Sequence, residues 1–324
     1  MTFALATIEH DREDTVAALV VDDKALPLPV LGETRTTLQL LDDWGTAQPQ
    51  IEALALKVAG HSAARPVSAV RFAAPYRPGQ VFCTGANYRK HVIGLIMGDP
   101  SMRTAEDDAI SEEDRRAKAE KMMDERAKSA QPYCFVKLPS CVVGPGDDVI
   151  LPHNVQKPDW ELELSVVIGK KARHVSPETA MDHVAGFAIV NDVTARDHVF
   201  RRDGSAIGAD WLSGKCFPTF LPFGPLIVPK AFVPDPYDLT IRLAVNGTTY
   251  QDESTRDMMI NIERQIAFLS DRVELQPGDV ICTGSPYGNG AAFGVFLKPG
   301  DVMEGSITGL GMQRNTCVAE PVGA

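Results

Sequence analysis

Charged and aliphatic residues alternate between residues 157 and 169, in the stretch Lys-Pro-Asp-Trp-Glu-Leu-Glu-Leu-Ser-Val-Val-Ile-Gly. Because successive side chains of a β-strand point to opposite faces, this pattern predicts a strand that carries Glu161 and Glu163 on one face. The aliphatic residues between and after them lie on the other face. Two carboxylates this close repel each other unless a cation lies between them.

A third acid is expected beside this pair. Asp192 follows the apolar run Ala-Gly-Phe-Ala-Ile-Val at 185–190, where a neighbouring strand is predicted to end. Three carboxylates would form an all-oxygen site of the kind that Mg²⁺, Mn²⁺ or Ca²⁺ prefers. The alternative is an acid pair that faces solvent on an edge strand. The spacing alone leaves both interpretations open.

Short apolar segments separated by turn residues fill most of the chain after residue 75. Pro-Gly-Asp or Asn-Gly turn signals recur at 145–148, 246–247, 277–279 and 299–301. This spacing favours a mainly β catalytic domain with some helix over a doubly wound α/β sheet.

The first 75 residues predict a separate small α/β module. It contains a strand at 17–21 and a helix around 37–44, and proline and glycine mark its end. The expected domains are therefore residues 1–75, a small N-terminal domain, and residues 76–324, the catalytic domain.

Residues 94–131 break the β pattern, because they are charged and poor in strand signals. The run Ser111-Glu-Glu-Asp114 can cap a helix that continues to Arg126, and oppositely charged residues four positions apart support it. The segment is predicted to be a helical insertion. It is either a solvated surface helix or a lid that closes over the site.

The composition indicates a small-molecule substrate. The 324 residues are 44% hydrophobic and 23% charged, as in soluble globular proteins. A formal net charge of -11 argues against nucleic acid or an anionic membrane as the main partner. No apolar stretch is long enough to cross a bilayer, and the first residues lack a secretory pattern, so the cytoplasm is the expected compartment.

The six cysteines are scattered along the chain, with no Cys-x-x-Cys pair and no histidine at zinc-finger spacing. They are predicted to be reduced thiols, and Cys83 and Cys282, which sit in apolar runs, are predicted to act as small hydrophobic residues.

Three basic residues are candidates for chemistry. His91 follows a glycine-containing turn and could act as a general base, because the ordinary pKa of histidine lies near neutrality. The alternative is a histidine that is merely exposed. Lys137 and Lys215 could each neutralise a substrate carboxylate, or each could be an ordinary solvated residue.

Arg196 and Asp197 follow Asp192 closely in the sequence. They could form an ion pair that orients the cation-binding carboxylates. The alternative is an ordinary salt bridge at the end of a strand.

Two common catalytic motifs are absent from the sequence. The glycine-rich run at 277–290 lacks the order Gly-x-x-x-x-Gly-Lys-Ser/Thr, so a phosphate-binding loop has little support. There is also no Gly-x-Ser-x-Gly elbow, which leaves a serine hydrolase without support.

Taken in order along the chain, these segments resemble the fumarylacetoacetate hydrolase family. The ordered set runs from residue 80 to about 318 and is far more specific than any single piece. The matching pieces are Thr84-Gly-Ala-Asn-Tyr-Arg-Lys-His91, Phe135-Val-Lys-Leu-Pro139, Glu161-Leu-Glu163, Asn191-Asp-Val-Thr-Ala-Arg-Asp197, Gly214-Lys215, Asn246-Gly247, Gln251-Asp-Glu-Ser-Thr255, Pro277-Gly-Asp279 and Thr283-Gly-Ser-Pro286.

The resemblance implies a mixed β-roll catalytic domain after a small N-terminal domain, paired as a homodimer. It implies that Glu161, Glu163 and Asp192 hold Mg²⁺ or Mn²⁺, and that His91 lies near the reacting carbon. It also implies catalytic roles for His91 and Lys215. The residues implied to contact the substrate are Tyr88, Lys137, Arg196, Lys215 and Thr283.

The sequence departs from the family pattern at two positions. Family hydrolases often carry a glutamate three residues after the histidine, which forms a dyad that activates water, but this chain has Gly94 there. Glu253 or an acid from residues 94–131 could replace it. Family members also often carry a glutamine three residues after the arginine that matches Arg196, but this chain has Val199 there.

These observations support two enzymatic hypotheses. The first is a metal-dependent hydrolase that cleaves a carbon–carbon bond in a 2,4-diketo acid, such as an acylpyruvate or a fumarylpyruvate-like compound. The alternative is a decarboxylase, keto-enol isomerase or hydratase that acts on a 2-keto acid through an enolate stabilised by the metal. A third hypothesis, a non-catalytic metal-binding scaffold, is opposed by His91 and the two lysines beside the acids.

Overall fold

The computed structural model of the protein describes residues 2–10, 14–98, 104–200 and 208–321. The predicted strand and helix of the N-terminal part are both present, and the helical region extends beyond the predicted end. The elements of this part are β1 (Ala4–His10), β2 (Asp14–Val21), β3 (Lys24–Pro27), α1 (Thr37–Asp42), α2 (Trp44–Ala55), β4 (Arg65–Pro66) and β5 (Phe72–Ala73).

Strands dominate the rest of the chain, as predicted from the spacing of its turn residues. They are β6 (Val81–Gly85), β7 (Tyr133–Lys137), β8 (Val142–Val143), β9 (Val149–Leu151), β10 (Pro158–Asp159), β11 (Leu162–Ile168), β12 (Val184–Asn191), β13 (Thr194–Ala195), β14 (Leu221–Pro222), β15 (Leu226–Pro229), β16 (Thr240–Val245), β17 (Thr248–Ser254), β18 (Val280–Cys282), β19 (Val302–Ile307) and β20 (Gly311–Ala319).

The described helices of this part are fewer than its strands. They are α3 (Arg89–Gly98), α4 (Ala105–Asp108), α5 (Glu112–Ser129), α6 (Pro177–Ala180), α7 (Arg196–Val199), α8 (Trp211–Lys215) and α9 (Ile262–Ser270). The longest of them is α5. Within the described ranges, no helix has the length and apolar character needed to span a membrane.

The largest sheet in the described part of the chain has eleven strands. Ten of them follow the order β4-β3-β2-β1-β15-β12-β11-β18-β6-β7, and β5 pairs with β1. A second sheet has the order β17-β16-β19-β20-β9. Because β1 pairs with β15, the N-terminal strands continue the sheet that contains β11 and β12. The division into domains at residue 75 therefore stays a prediction.

The alternation predicted for β11 is present, but both of its faces are buried. Leu162, Leu164 and Val166 belong to one buried apolar cluster, whereas Val167 belongs to a second one. The strand lies between β12 and β18, inside the sheet. A solvent-facing edge strand, the alternative interpretation of its acids, therefore does not apply.

The helix expected after Ser111 is α5, and the Ser111 side chain accepts a hydrogen bond from the backbone N–H of Asp114 at its start. One side of α5 packs on α3 through Ala119 and Met123, which share a small apolar cluster with Val92 of α3. Residues 99–103 of the predicted insertion lie outside the described residues. The lid function of 94–131 stays a prediction.

We predict that Gly186→Ala destabilises the fold, because β12 and β15 approach each other too closely for a side chain. A Cβ at Gly186 would lie 2.3 Å from the carbonyl oxygen of Val228, a rigid backbone atom. Overpacking of this kind costs about 1–3 kcal/mol of unfolding free energy. Urea unfolding followed by circular dichroism measures the loss.

Gly45→Ala is the matched control, because a Cβ at Gly45 in α2 would meet nothing within 4 Å. Its stability should stay level or rise by up to about 1 kcal/mol, since alanine is the better helix residue. Equal stability of the two variants would contradict the close strand contact.

Candidate active site and metal centre

Antiparallel pairing of β11 with β12 brings three carboxylates together. The register places Leu162 opposite Asn191, so the residue before β11 and the residue after β12 become neighbours. The backbone N–H of Asp192 donates to the carbonyl of Glu161 at 2.8 Å. Glu161, Glu163 and Asp192 are only 6%, 3% and 1% exposed. Their proximity, predicted from one strand and the end of the next, is confirmed.

The arrangement of these acids fits a hard cation. Glu161, Glu163 and Asp192 can each offer one carboxylate oxygen, and those oxygens lie within 4.8 Å of one another. Ligands on opposite sides of Mg²⁺ or Ca²⁺ are about 4 to 5 Å apart, so small side-chain adjustments would bring all three onto one ion.

Lys215, the last residue of α8, bridges two of the acids. Its Nζ lies 2.5 Å from Oε2 of Glu161 and 2.5 Å from Oδ2 of Asp192. Burial disfavours the charged ammonium, but the two carboxylates outweigh burial and raise the pKa of Lys215 above its ordinary value. The side chain is a buried cation at the centre of the site, not a solvated surface residue.

Lys137, at the end of β7, holds the other oxygen of Asp192. Its Nζ donates to Oδ1 of Asp192 at 2.6 Å and to the carbonyl of Val193 at 2.9 Å. The Lys137 side chain is fully buried. Both lysines are therefore buried beside the acids, and neither is an ordinary solvated residue.

Arg196 orients Glu161, but its second partner is not Asp197. The guanidinium donates to Oε1 of Glu161 at 2.5 Å and to Oδ2 of Asp159 at 2.8 Å. Asp197 accepts hydrogen bonds from the backbone N–H groups of Gln156 and Lys157. The sequence suggests an ion pair between Arg196 and Asp197, but in the described contacts Arg196 pairs with Asp159.

Glu163 differs from the other two acids in its surroundings. Its Oε2 accepts a hydrogen bond from the backbone N–H of Gly284 at 2.8 Å, and among the described residues it forms no ion pair. Burial, together with the charges of Asp192 and Glu161, raises the pKa of Glu163 well above its ordinary value. A cation among the three acids would stabilise the ionised form of this carboxyl group.

The pKa of Glu161 is shifted in the opposite direction from that of Glu163. Burial alone would raise its pKa, but Arg196 and Lys215 outweigh burial and keep the pKa of Glu161 below its ordinary value. Glu161 is thus an ionised carboxylate whose two oxygens are already fixed in place. The site combines one firmly charged acid with one that lacks a cationic partner.

His91 lies on α3 and faces the acids. The ring is buried, and burial lowers the pKa of His91 to about 4, so the imidazole is neutral at pH 7. Exposure, the alternative interpretation of this histidine, is therefore wrong. The amide of Asn289 lies beside the ring and also donates from Nδ2 to Oε1 of Glu161 at 2.9 Å.

The amide oxygen of Asn289 is buried and has no hydrogen-bond partner among the described residues. Because the NH₂ group is committed to Glu161, this oxygen stays turned away from that acid. An unpaired buried acceptor next to His91 suits an N–H of the ring or a polar ligand.

Family hydrolases often pair the histidine with a glutamate, at the position that is Gly94 here. Among the described contacts, no carboxylate replaces that glutamate as a hydrogen-bond or ion-pair partner of His91. The space at Gly94 is filled by the ring of Tyr287, whose Cε2 lies 2.7 Å from where a Cβ would be. Glu253, one suggested replacement, pairs with Lys90 at 2.6 Å. Of the described acids from the 94–131 segment, Asp107 pairs with Lys118 and Asp124 with Arg89.

Two residues implied to contact the substrate lie deep in the structure. Tyr88 is fully buried, and its hydroxyl lies beside Thr283. The Thr283 hydroxyl donates to the carbonyl of Leu164 at 2.8 Å. Their contact with substrate stays a prediction.

Sequence reasoning missed three residues of this site, which are Asp159, Tyr287 and Asn289. Asp159 is fully buried and accepts from Arg196 and from the backbone N–H of Gly290. Asp159 precedes Glu161 by two positions, in phase with the acid alternation, and this was the available signal. Tyr287 and Asn289 lie in the glycine-rich run at 277–290, just after the matching piece Thr283-Gly-Ser-Pro286, and no local pattern singles them out.

Comparison with known proteins gives a family match over most of the chain. The family model described as "Fumarylacetoacetate (FAA) hydrolase C-terminal" matches residues 80–318. The chain is 40% identical over 256 residues to the human protein "Oxaloacetate tautomerase FAHD2A, mitochondrial", covering 78% of this chain and 71% of that protein.

Two solved structures extend the similarity to nearly the whole chain. A probable 2-hydroxyhepta-2,4-diene-1,7-dioate isomerase from Mycobacterium abscessus has a TM-score of 0.73 and 27% identity, and it covers 99% of this chain and 100% of that chain. Maleylpyruvate hydrolase from Sphingobium sp. SYK-6, in complex with manganese(II) ion and pyruvate, has a TM-score of 0.71 and 25% identity, with 98% and 100% covered. The sheet-rich fold and the matched residues lead to one conclusion: this chain belongs to the fumarylacetoacetate hydrolase family.

Proposed function

We propose that this protein is a keto-enol tautomerase for a small 2-keto acid, with a divalent cation, Mg²⁺ or Mn²⁺, held by Glu161, Glu163 and Asp192. The observation that carries the proposal is the surroundings of His91. The ring of Tyr287 fills the space at Gly94, three residues after His91, and the Asn289 amide lies beside the His91 ring. Among the described contacts, no hydrogen bond or ion pair joins His91 to a carboxylate. The hydrolase hypothesis requires water activation, and this arrangement is poorly suited to it.

Water activation depends on the strength of the base. A carboxylate beside a histidine raises its basicity, and water is a very weak acid that needs such help. Glu161 acts on His91 in this way, but burial and the cations Arg196 and Lys215 outweigh it and lower the pKa of His91 to about 4. A weak, neutral base of this kind suits the much more acidic enol hydroxyl of a 2-keto acid.

Tautomerisation also requires less from the site than hydrolysis does. One O–H bond breaks and one C–H bond forms, so the mass of the substrate is conserved and no water is consumed. We propose that His91 carries this proton between the C2 oxygen and C3. Lys215 is held on Glu161 and Asp192. We propose that its positive charge stabilises the negative charge that develops on the oxygen.

When bound, a divalent cation would supply Lewis-acid stabilisation of an oxyanion and would orient the substrate. The residues that would hold it are anchored from several sides, since Lys137 fixes Asp192 and Arg196 fixes Glu161. Such partners keep carboxylate ligands in position. Tyr88, Lys137, Arg196 and Thr283 remain the proposed substrate contacts.

The relatives support this choice of reaction. The 40% identical human protein is named an oxaloacetate tautomerase, so oxaloacetate is the first substrate to test. Several relatives of similar identity carry the same name, in cattle and rat among others. The 2-keto dicarboxylic acids are therefore the proposed substrate class.

A hydrolase that cleaves the carbon–carbon bond of a 2,4-diketo acid is the second candidate. Its support is the structural similarity to a maleylpyruvate hydrolase in complex with manganese(II) ion and pyruvate. Product analysis separates the candidates, because hydrolysis yields two acids and tautomerisation conserves mass.

We also propose a homodimer. β7 is the last strand in the order of the large sheet, and apolar side chains project from this edge and from the neighbouring α8. Val136, Leu138 and Leu212 are 54%, 43% and 65% exposed. An exposed apolar edge strand is a typical pairing surface.

The cytoplasmic location stays a prediction, which the mitochondrial names of several relatives do not favour.

We predict that Glu163→Gln weakens Mn²⁺ binding by at least about tenfold in isothermal titration calorimetry. The amide keeps an oxygen to accept the Gly284 N–H but brings no charge to the cation. In the presence of EDTA the variant should be at least as stable as the wild type, because it removes a buried acid that has no ion-pair partner in the described chain.

Glu253→Gln is the control for this experiment, because Glu253 pairs with Lys90 and is not one of the three clustered acids. It should leave Mn²⁺ affinity unchanged. Equal affinity of the Glu163 variant and the wild type would argue against the proposed cation site.

We predict that His91→Gln slows conversion of enol-oxaloacetate to its keto form by about 10²–10⁴-fold, the usual contribution of a general base. The rate is followed by the ultraviolet absorbance of the enol in the presence of Mg²⁺. Mn²⁺ affinity should change little, because His91 is not among the proposed ligands. The control is His153→Gln, whose side chain is 86% exposed and which should retain the full rate. A His91 variant as active as the wild type would exclude His91 as the general base.

We predict a molar mass near twice 35.1 kDa for the wild type in light scattering after size-exclusion chromatography. Val136→Glu should shift the protein toward the monomer, since it places a charge on the exposed β7 edge. Leu56→Glu, at a 67% exposed position after α2, should leave the dimer intact. A monomeric wild type would refute the proposed dimer.

A further inference from the structure

Gly94 lies inside α3, where glycine is an unfavourable residue. Glycine in a helix interior costs about 0.5–1 kcal/mol relative to alanine, so a packing reason is expected. The ring of Tyr287 provides it, because Cε2 and Cδ2 lie 2.7 and 2.9 Å from the Cβ position. The contact leaves no space for a side chain at residue 94.

The same face of α3 carries His91. Residues three apart in a helix are neighbours on its surface, so the ring of Tyr287 abuts the helix next to His91. Asn289, two residues after Tyr287, lies beside the His91 ring. The loop from Gly284 to Gly290 therefore forms one wall of the space around the histidine.

This loop is fixed at both ends to the acids. The backbone N–H of Gly284 donates to Glu163, and the side chain of Asn289 donates to Glu161. Between them, Gly288 has a φ of +116°, and a Cβ there would lie 2.3 Å from the carbonyl oxygen of Tyr250. Only glycine fits this conformation and approach, so the path of the chain at Tyr287 is tightly determined.

The ring itself is held from a second side. Tyr287 and Phe293 make an edge-to-face contact with 5.9 Å between ring centroids, and Phe293 in turn packs on Tyr250 at 5.3 Å. Aromatic pairs in this geometry are favourable. The Tyr287 ring is thus clamped between an aromatic cluster and the backbone of α3.

We propose that Tyr287 is a specificity-determining residue, whose ring closes the space beside His91 and so excludes the water attack that would cleave a 2,4-diketo acid. This inference rests on the proposed tautomerase function and adds the residue that restricts the site to proton transfer. The determinant is the volume of the ring over Gly94, and the hydroxyl group is not required.

The excluded reaction defines what the ring must prevent. In hydrolysis of an acylpyruvate, the oxygen of water bonds to the acyl carbon C4 and the C3–C4 bond breaks. One proton of the water ends on C3 of pyruvate, and the other is released as the second carboxylic acid ionises. This step needs a water molecule beside the base, whereas the proton transfer of tautomerisation needs none.

The experiment compares two reactions in the same variants, with Mg²⁺ present. Tautomerisation of enol-oxaloacetate is followed by absorbance, and release of pyruvate from acetylpyruvate is followed with lactate dehydrogenase. In Tyr287→Ala, the ratio of hydrolysis to tautomerisation should rise by about tenfold or more. The double variant Tyr287→Ala/Gly94→Glu, which adds an acid where the ring was, should raise this ratio further.

Tyr287→Phe keeps the ring and should keep the wild-type ratio. Tyr250→Ala removes an aromatic residue from the same cluster without opening the space at Gly94, so it should lower the melting temperature and leave the ratio unchanged. A change in ratio is a readout that a merely structural role of Tyr287 would not produce.

The outcomes for the two proposals are separate. Wild-type protein that fails to tautomerise any 2-keto acid would overturn the proposed function. A tautomerising wild type whose ratio stays constant in both Tyr287→Ala and the double variant, with Mn²⁺ binding intact, would overturn the role of Tyr287. A changed ratio in Tyr287→Phe would also overturn it, because the ring would then not be the determinant.

Discussion

The burial of three carboxylates inside the large sheet is the constraint on which the rest of the site depends. Removing an ionised carboxylate from water is costly unless opposite charge compensates it. Glu161 and Asp192 receive this compensation from Lys215, Lys137 and Arg196. Because a buried pair that loses one partner leaves an uncompensated charge, these positions are strongly coupled to one another.

The compensating cations come from separate elements, so the site also ties the fold together. Lys137 ends β7, Arg196 begins α7 and Lys215 ends α8. Glu161 and Asp192 flank the β11–β12 pair, and Glu163 lies within β11. Elements that are distant in sequence must therefore assemble before any of these charges is satisfied. The charge pattern also explains the geometry of a cation site, since each oxygen of Glu161 and Asp192 already has a fixed direction.

This arrangement links charge balance to the proposed reaction. Lys215 bridges Glu161 and Asp192 as a cation, and Glu163 lacks an ion-pair partner among the described residues. Binding a divalent cation would therefore require Lys215 to share the oxygens that it now holds. A lysine that is released in part toward the substrate, next to a neutral His91, suits proton transfer and oxyanion stabilisation better than it suits the creation of hydroxide.

The sequence predicted the parts of the site that depend on local pattern. The alternation around Glu161 and the position of Asp192 after an apolar run were enough to predict a cluster of acids, because strand periodicity and antiparallel pairing determine it. Composition and turn spacing likewise predicted the mainly β fold. The ordered motifs of the resemblance then added His91, Lys137 and Lys215.

The remaining features depend on packing between distant segments. Tyr287 meets Gly94 across almost two hundred residues, and nothing local in either segment indicates this contact. Arg196 pairs with Asp159 and not with the adjacent Asp197, whose carboxylate accepts from the backbone N–H of Gln156. Successive side chains of a helix point in different directions, so neighbours in sequence need not pair. Sequence pattern also gave no sign that β1 pairs with β15 and so joins the N-terminal strands to the large sheet.

The most direct test of the central claim is a crystal structure with Mn²⁺, with the ion located by its anomalous scattering. The account predicts one anomalous peak, bonded to an oxygen from each of Glu161, Glu163 and Asp192, and a Lys215 Nζ displaced from its bridge between Glu161 and Asp192. A structure without a peak among these acids, and with Lys215 still bridging them, would contradict the account.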